Sequence, residues 1–389
     1  MREKMSAGNQ EHIIKLEQIK KDWQDRRLFY KAELAKIDDI SKRFALQQEI
    51  LKCDQGIQET TQEIESLKKD NKSINNQLDK QSSTLAMSEN SESKPNIGII
   101  TALPQEYAAV RKILENTKNK SFPGQGGGNR YLLGDVSTKD KGKHTVALCL
   151  AAMGNNIAAI RASVLLKHFP DLESIIMVGI AGGIPDPGIP DEHVRLGDIV
   201  ISNEKGVIQY DFDKETITEN THRHPPRPPS SSLLEAVRLL EVEELMGEKP
   251  WLKFIEQALL PKGQQRPSVE TDILVSSTNP DQRLEHPQDF KRNNGEPRVF
   301  IAPIASANQL LQNPIKRDQL RNKFGVKAVE MESSGIADAT WNYEIGYLVV
   351  RGICDYCDSQ KNDGWHPYAA AVAAAYTRAL LESMPDPKL

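Results

Sequence analysis

The sequence has no long apolar run, and this absence excludes a helix that crosses a membrane. No stretch of the 389 residues approaches the roughly 20 consecutive apolar residues that a bilayer requires. The first twelve residues, MREKMSAGNQEH, also lack the apolar core of a secretory signal. We therefore predict a cytoplasmic protein with no membrane partner.

Cysteine is also scarce, and basic residues do not outnumber acidic ones. Four cysteines in a chain of this length do not make a disulfide framework. The C-x-x-C formed by Cys354 and Cys357 has no second pair, which is weak evidence for structural zinc. The formal net charge of −4 offers no basic surplus for nucleic acid. The run GQGGG at 124–128 is not followed by the Gly-Lys-Ser/Thr of a phosphate loop, so we interpret it as a flexible turn.

Proline is absent between residues 11 and 80, and glycine occurs there once, at Gly56. Apolar residues recur at helical spacing, and beyond Ile50 they follow the seven-residue repeat of a coiled-coil seam. The two series of this repeat are Ile57, Ile64 and Leu78, and Cys53, Leu67 and Ile74. The repeat does not continue upstream, so we predict a helical coiled-coil or hairpin module at 1–80, broken near 36–41. Its narrow seam predicts association, either as a homo-oligomer (at least a dimer) or with a protein partner through residues 11–80.

The remainder of the chain has the pattern of an α/β domain. Residues 81–95 are polar, rich in serine and end in proline, as in a linker. From residue 96 onward, short apolar runs alternate with helical patterns, which predicts a three-layer α/β/α domain with a central mixed sheet over 96–389. The pattern degrades over 213–297, where a Pro-rich stretch and amphipathic segments predict an insertion.

Acidic residues fall at the ends of three predicted strands. Glu332 follows one short apolar run, Asp355 ends a β-branched run, and Glu106 lies just beyond the first strand of the domain. In open α/β sheets, ligands bind beyond the carboxyl ends of the strands, so we expect these side chains to share one pocket. Taken alone, Glu332 or Asp355 fits a structural role better than a catalytic one, by capping a helix or by pairing with Arg351. Glu106 alone fits an ordinary acidic residue in the first turn of a helix.

Two of these segments, VEMES at 329–333 and VVRGICD at 349–355, resemble the purine nucleoside phosphorylase/uridine phosphorylase superfamily. The similarity is greatest to its branch of methylthioadenosine/S-adenosylhomocysteine nucleosidases, and it covers about residues 96–384. The resemblance implies that Met331 and Glu332 hold the ribose, with Glu330 in the same element. It also implies that Asp355 protonates the purine and that Glu106 activates the attacking water.

One position departs from this family. Cys354 stands where the family usually has a serine that helps to orient the acid. The departure therefore affects how Asp355 is oriented for proton transfer.

Two turns supply further candidate contacts. The run AAMGNN opens an Ala-rich helix, and a helix N-terminus offers free backbone N–H groups, so Met153, Gly154 and Asn155 are candidates near the ribose. The run SIIMVGIAGG matches a small-residue element of the family, in which Ala181 and Gly182 would let the backbone approach the nucleoside. By the same resemblance, contacts to the base are expected from Asn308, Gln309 and Leu310.

The resemblance implies hydrolysis of the N-glycosidic bond of a purine nucleoside or nucleotide, with no metal and no organic cofactor. Asp355 would have to keep its proton at neutral pH, and Glu332 would stabilise the positive charge that develops on the ribose. A phosphate-dependent phosphorylase is the alternative enzyme. However, the MGNN turn lacks the arginine that holds phosphate in such enzymes, and Glu106 would repel phosphate. A non-enzymatic nucleotide sensor is a third alternative, against which the complete set of carboxylates argues.

The helical module and the insertion distinguish this chain from the short housekeeping nucleosidases. Similar arrangements occur in immune-effector relatives of the family, and LEQ…DWQDRR…KRFALQQEI loosely resembles helical effector-associated modules. This resemblance favours ATP or a related adenine nucleotide, depleted in bacterial defence, over methylthioadenosine. Arg161, in the helix after MGNN, fits either a surface position or a phosphate ligand. A further set of candidates for phosphate contacts is the basic cluster at His222, Arg223, His224 and Arg227.

Overall fold

The computed structural model describes residues 2–36, 40–86, 94–124, 129–215, 220–223, 225, 227–259, 265–360 and 363–387. The chain divides into two compact units, Met1–Glu92 and Ser93–Leu389. Most of the predicted turn at 124–128, the centre of the predicted linker and the centre of the predicted break near 36–41 lie outside the described residues. Among the helices that are described, none is long and apolar enough to cross a membrane.

The first unit is a pair of helices, α1 (Arg2–Leu34) and α2 (Ile40–Ala86). They run antiparallel, because Glu17 pairs with Lys68 at 3.1 Å while Arg27, further along α1, pairs with Asp54 at 2.6 Å. The predicted seam of α2 faces α1: Ile64 packs with two α1 side chains, Ile13 and Leu16, and Cys53 is buried. The apolar face of α2 is therefore covered, at least in this part, by the same chain. The side chains of Ile74 and Leu78 lie outside the described ones.

Gly56 lies against the indole ring of Trp23 in this hairpin. A Cβ atom at Gly56 would come within 2.6 Å of the ring. Glycine costs a helix interior about 1 kcal/mol relative to alanine, so the close approach of Trp23 explains why a small residue occupies this position.

The second unit is built on a nine-stranded sheet with strand order β12-β11-β6-β13-β5-β1-β4-β3-β2. Two two-stranded ribbons, β7 with β8 and β9 with β10, accompany it. The strand bounds are β1 (Ile97–Thr101), β2 (Glu115–Ser121), β3 (Arg130–Ser137), β4 (Lys143–Leu150), β5 (Ser174–Gly183), β6 (Ile199–Gln209), β7 (Asp213–Glu215), β8 (Asn220–His222), β9 (Leu274–Val275), β10 (Arg283–Leu284), β11 (Val299–Ser306), β12 (Ala328–Glu330) and β13 (Gly346–Asp355).

The sheet is mixed, as predicted. Strands β4, β1, β5 and β13 run parallel at its centre, and their near-continuous apolar runs suit strands that are covered on both faces. Strand β13 pairs antiparallel with β6. Strand β12 pairs with β11 on one side and antiparallel with β5 on the other. The five strands β5, β13, β6, β11 and β12 therefore close into a ring.

The described residues of the second unit form the α-helices α3 (Pro104–Ile113), α4 (Asn155–His168), α5 (Ser231–Leu245), α6 (Leu252–Ala258), α7 (Pro314–Phe324), α8 (Ser333–Asn342) and α9 (His366–Ser383). Helices α4 and α8 pack on each other, while α3, α5 and α6 pack on α9. The prediction of a three-layer α/β/α domain preceded by helices is confirmed. The backbone of α9 approaches β13 closely, since a Cβ atom at Gly352 would lie 1.9 Å from the Ala369 carbonyl oxygen.

The segment predicted as an insertion, 213–297, contributes to the main core. Its α5 and α6 bury Leu233, Val237, Trp251 and Phe254 in the same apolar cluster as the central strands. The amphipathic pattern seen in the sequence therefore corresponds to helices that cover one face of the sheet.

Candidate active site

A cleft of about 710 Å³ lies beyond the carboxyl ends of β1, β5, β12 and β13. Its volume falls in the range of ordinary small-molecule sites, about 300–1,000 Å³. The predicted residues that line it are Glu106, Met153, Ala181, Gly182, Leu310, Glu330, Met331, Glu332 and Asp355. The structure thus brings the carboxylates predicted at three strand ends into one cavity.

Arg351 lies fully buried beneath this cleft. Its Nη2 atom donates to Glu330, to Glu332 Oε2 at 3.2 Å and to Ser333 Oγ at 3.1 Å. Burial alone would lower the pKa of Arg351, but the surrounding carboxylates outweigh burial and raise it. The guanidinium therefore remains a cation and offsets part of the negative charge of the surrounding carboxylates.

Glu330 is committed to the turn between β12 and α8. Its carboxylate accepts hydrogen bonds from the backbone N–H of Glu332 at 3.1 Å, and from the N–H and hydroxyl of Ser333 at 2.9 and 2.6 Å. Together with Arg351, these donors occupy its oxygens. Glu330 therefore positions the turn that carries Glu332.

Glu332 is placed between a cation and a helix N-terminus. Oε2 faces Arg351, and Oε1 accepts the N–H of Gly154 at 3.3 Å. Gly154 precedes α4 with φ of 110°, a conformation that favours glycine. Burial raises the pKa of Glu332 to about 7, although Arg351 opposes the shift. The side chain can consequently gain or lose a proton near neutral pH.

Glu106 is in the first turn of α3 and is almost fully buried. One oxygen accepts the backbone N–H groups of Ala102 and Leu103 at 2.8 Å each, and the other accepts that of Ile180 at 2.8 Å. Burial raises the pKa of Glu106, while Arg351 and the three N–H groups counteract it. The three hydrogen bonds fix the orientation of the carboxylate. Because its pKa is raised, it accepts a proton more readily than an exposed glutamate does.

Asp355 ends β13 at a bulge in its pairing with β5. Oδ1 accepts the N–H of Cys357 at 2.8 Å. The Cys354 thiol lies 3.3 Å from Oδ2 and 3.4 Å from the Ala181 carbonyl oxygen. A thiol has one hydrogen for these two acceptors. The thiol can therefore donate its hydrogen to only one of them at a time, to the carboxylate or to the Ala181 carbonyl oxygen.

His366, at the start of α9, is a cleft residue that the sequence reasoning missed. It stands in the run GWHPY, just before a helical pattern, and a lone histidine there carries no specific signal of a site. Ligand atoms of Cys354, Asp355 and His366 lie within 4.8 Å of one another, a grouping that could hold a metal ion. Cys354 and Cys357 are both buried and are not joined by a disulfide.

The segment 213–297 also holds the end of β13 in place, through a contact with the residue that follows Asp355. The hydroxyl of that residue, Tyr356, donates to Asp272 at 2.6 Å, and Asp272 accepts from Arg195 at 2.8 Å. Burial alone would raise the pKa of Asp272, but hydrogen bonds from His286 and Tyr356 and the charge of Arg195 lower it to about 2. A permanent anion therefore anchors the end of β13.

The remaining predicted contact residues have different positions. Met153 and Leu310 are exposed at the mouth of the cleft. Asn155 and Asn308 do not line it: the N–H of Asn155 donates to the Asn308 side chain at 2.9 Å, and its own side chain accepts from Ser306 at 3.0 Å. These bonds brace the turn that presents Gly154. The side chain of Gln309, which is exposed, does not line the cleft.

The basic cluster lies away from the cleft. His222 is 3.3 Å from Asp213, and Arg227 pairs with Asp338 at 3.2 Å and stacks on Trp341. None of the cluster residues that the structure describes lines the cleft, and His224 lies outside the described residues.

The sequence is similar to a known protein family and to several known proteins. A family model described as the phosphorylase superfamily matches residues 96–382. A nucleotide-binding leucine-rich repeat (NLR)-like protein of Hyaloscypha variabilis is 33% identical over 300 residues, covering 74% of this chain and 29% of that protein. The ATP nucleosidase Cap17 of Escherichia coli is 26% identical, covering 74% of this chain and 51% of Cap17. The chain thus spans only a part of these two relatives.

Other relatives are matched over nearly their whole length. The 5'-methylthioadenosine/S-adenosylhomocysteine nucleosidase of Mycobacterium bovis is 26% identical, covering 74% of this chain and 96% of that protein. Among solved structures, the corresponding enzyme of Neisseria meningitidis in complex with methylthio-immucillin-A superposes with a TM-score of 0.51 at 20% identity, covering 74% of this chain and 98% of that one. This structural similarity supports the fold.

Proposed function

The chain belongs to the phosphorylase superfamily, and from this premise we propose that it is a nucleosidase that hydrolyses the N-glycosidic bond of an adenine nucleoside or nucleotide. The observation that carries the proposal is the convergence of Glu106, Glu332 and Asp355 in one cleft. Nucleosidase relatives that match over 74% of the chain support the same chemistry.

Asp355 is the proposed general acid. A purine leaves more readily as a neutral base, so a proton has to reach it as the glycosidic bond breaks. The Cys357 N–H fixes Oδ1, which leaves Oδ2, beside the Cys354 sulfur, to carry the proton. The protonated oxygen can then donate to the nitrogen of the bound purine.

Glu332 is the proposed ribose ligand. Its two oxygens can accept hydrogen bonds from vicinal hydroxyls, and they strengthen these bonds as the ribose gains positive charge. Arg351 and the Gly154 N–H hold the carboxylate in place. Met331, which also lines the cleft, supplies the neighbouring apolar surface.

Glu106 is the proposed base that activates water. Its three backbone donors orient the carboxylate, and burial raises its pKa, which increases its ability to accept a proton from water. The scheme requires no metal and no organic cofactor.

The lining of the cleft favours water over phosphate as the nucleophile. Among its described lining residues, none is a lysine or an arginine, and Glu106 and Glu332 would repel an inorganic phosphate. A phosphorylase would need a cation at this position to hold the nucleophile.

We propose an adenine nucleotide, ATP in particular, as the substrate, ahead of methylthioadenosine. One support is the similarity to a protein named ATP nucleosidase Cap17. The other is the helical hairpin, which we propose to be an association module at 1–80, joined by a linker at 81–95 to the catalytic domain at 96–389. Helix α2 continues to Ala86, so the first part of this proposed linker is helical. A role as a nucleotide-depleting effector in defence, with a homo-oligomeric assembly or a partner bound through the hairpin, extends this proposal.

The test is to incubate the full chain with ATP, AMP, adenosine and methylthioadenosine, each with and without inorganic phosphate. Free adenine is measured by chromatography, and the sugar product by mass spectrometry. We expect release of adenine without phosphate and a sugar product with a hydroxyl at C1. Release that requires phosphate and yields a 1-phosphate would make the enzyme a phosphorylase. Tight binding of the nucleotide without any release would make it a sensor.

A further inference from the structure

Another cavity, of about 820 Å³, lies at the same edge of the sheet as the cleft. It is flanked by the end of β4 and the start of β3, which pair with each other, and by the outer face of α3. Its polar lining includes Tyr107, Asn119, Ser121, Asn129, Arg130 and Arg161. The proposed catalytic scheme uses none of these residues.

Arg161 is a buried cation without a counter-charge at the wall of this cavity. The residue is 8% exposed. Its Nη2 atom donates to the Arg130 carbonyl oxygen at 3.1 Å, and the guanidinium lies 5.0 Å from the ring centroid of Tyr131. Among the described residues, Nε and Nη1 have no hydrogen-bond partner, and no carboxylate lies within ion-pair distance of the guanidinium.

The neighbouring titratable groups do not neutralise this charge. Burial raises the pKa of the Cys149 thiol to about 11, so the thiol is neutral at physiological pH. Burial lowers the pKa of His168, and Lys167 and Arg161 lower it further. A buried ion requires a partner of opposite charge, and only an anion entering the cavity would supply one here.

The order of the strands gives the direction from the cleft to this cavity. The base would lie at Asp355 on β13, and the sheet continues from β13 through β5 and β1 to β4 and β3. Two segments of the chain, the start of α3 and the stretch from the end of β4 into the following turn, contribute to both cavities. Glu106 lines the cleft while Tyr107 lines the other cavity, and Met153 lines the cleft while Leu150 lines the other. A ribose bound at Glu332 with its base at Asp355 would therefore have its opposite side toward β1 and β4, the direction of the Arg161 cavity.

We propose that the Arg161 cavity receives the 5'-polyphosphate of a nucleotide whose base and ribose occupy the cleft. This inference rests on the proposed function and extends it, because it assigns the charge recognition that the cleft itself lacks. Arginine suits this role, since its planar guanidinium offers several donors to phosphate oxygens. Adenosine and methylthioadenosine carry no phosphate that could occupy this cavity.

The first experiment compares the wild type with Arg161→Met for ATP and adenosine. The quantity compared is the ratio of kcat/KM for ATP to kcat/KM for adenosine. We expect this ratio to fall at least tenfold in the variant, mainly because KM for ATP rises. Arg161→Lys, which keeps the charge but loses the planar donors, should give a smaller loss. The control is Arg238→Met, which removes an exposed arginine of α5 and should leave the ratio unchanged. An equal change for ATP and adenosine in Arg161→Met would overturn the proposal.

The second experiment separates this site from the catalytic proposal. Inorganic tripolyphosphate is added to each protein, and the shift in melting temperature is measured. We expect a shift in the wild type and in Arg238→Met, and its loss in Arg161→Met. A wild type that binds tripolyphosphate through Arg161 but cleaves no nucleotide would refute the nucleosidase and retain the site. A shift that is equal in all three proteins, or absent from all, would refute the site. If Arg161→Met does not fold, Arg161→Lys takes its place.

Discussion

Arg351 Nη2 lies 3.2 Å from Glu332 Oε2 and also donates to Glu330. The carboxylate proposed to bind ribose and the carboxylate that braces its turn therefore share one buried cation. A change at any of the three residues alters the charge balance of the other two.

Removal of this cation should destabilise the domain strongly. In Arg351→Met, Glu330 and Glu332 would remain buried without their common partner. Breaking a buried ion pair typically costs about 3–5 kcal/mol, so the free energy of unfolding should fall by about this amount. Urea denaturation followed by circular dichroism measures it. Arg238→Met, at an exposed position, should change the stability by less than about 0.5 kcal/mol.

The stability of the domain should depend on pH through Glu332. Its pKa is raised from 4.5 to about 7 in the folded protein, so the folded state holds a proton that the unfolded chain has lost between these values. The contribution of Glu332 to stability is therefore greatest below pH 4.5 and falls as the pH rises to about 7.

Glu332→Gln provides the comparison, because glutamine does not titrate. The difference in unfolding free energy, variant minus wild type, should become more positive from pH 4.5 to pH 7. Denaturation at four pH values across this window measures the difference. Parallel pH profiles for the two proteins would show that Glu332 does not titrate there.

Substitution of the proposed acid should abolish turnover without unfolding the protein. Asn at position 355 cannot transfer a proton to the purine, and loss of general acid catalysis typically costs about 10²–10⁴-fold in rate. Adenine release by Asp355→Asn, with circular dichroism as the check on folding, tests this. Full activity would overturn the assignment of the site.

Glu106→Gln distinguishes the two nucleophiles. For hydrolysis, the water loses its base, and the rate should fall by about 10²–10⁴-fold. For phosphorolysis, the removal of a negative charge would instead leave the rate intact or increase it. Adenine release by the wild type and the variant, with and without phosphate, is the measurement.

A matched pair of glycines tests the packing around Asp355. A Cβ atom at Gly182 would lie 2.3 Å from Cys357 Sγ and 3.0 Å from Asp355 Oδ1, so Gly182→Ala should displace the acid and lower kcat more than tenfold. At Gly188, a Cβ atom would meet only the Asp186 Oδ1 atom, at 3.6 Å, among the described residues. Gly188→Ala should retain wild-type kcat, and equal kcat values in both variants would contradict the packing argument.

The sequence allowed the fold class to be predicted because its signals are local. The buried strands that end at Asp355 and Gly183 are continuous apolar runs, and the heptad pattern around Ile64 indicates a helix. The antiparallel pairing of α1 with α2 does not follow from that pattern. The placement of carboxylates at strand ends also predicted which residues would approach one another, as the shared cleft of Glu106, Glu332 and Asp355 illustrates. Their catalytic roles remain predictions.

Other parts of the site depend on contacts between residues far apart in sequence. Arg351 was considered only as a possible pairing partner, because its burial among three carboxylates requires the closure of the sheet. The support of Tyr356 by Asp272 could not be predicted, since 213–297 had no clear pattern. His366 was missed because a single histidine before a helix does not indicate a site.

The ring closed by the pairing of β12 with β5 also has a consequence for folding. The pairs Ala328 with Gly183 and Val329 with Gly182 connect distant parts of the sequence, which gives the cleft a high contact order, and such contacts form late. During synthesis, β5 emerges well before β12 and β13, so the nascent domain cannot bring Glu332 and Asp355 into one cleft. An unfinished chain would therefore lack the proposed catalytic site.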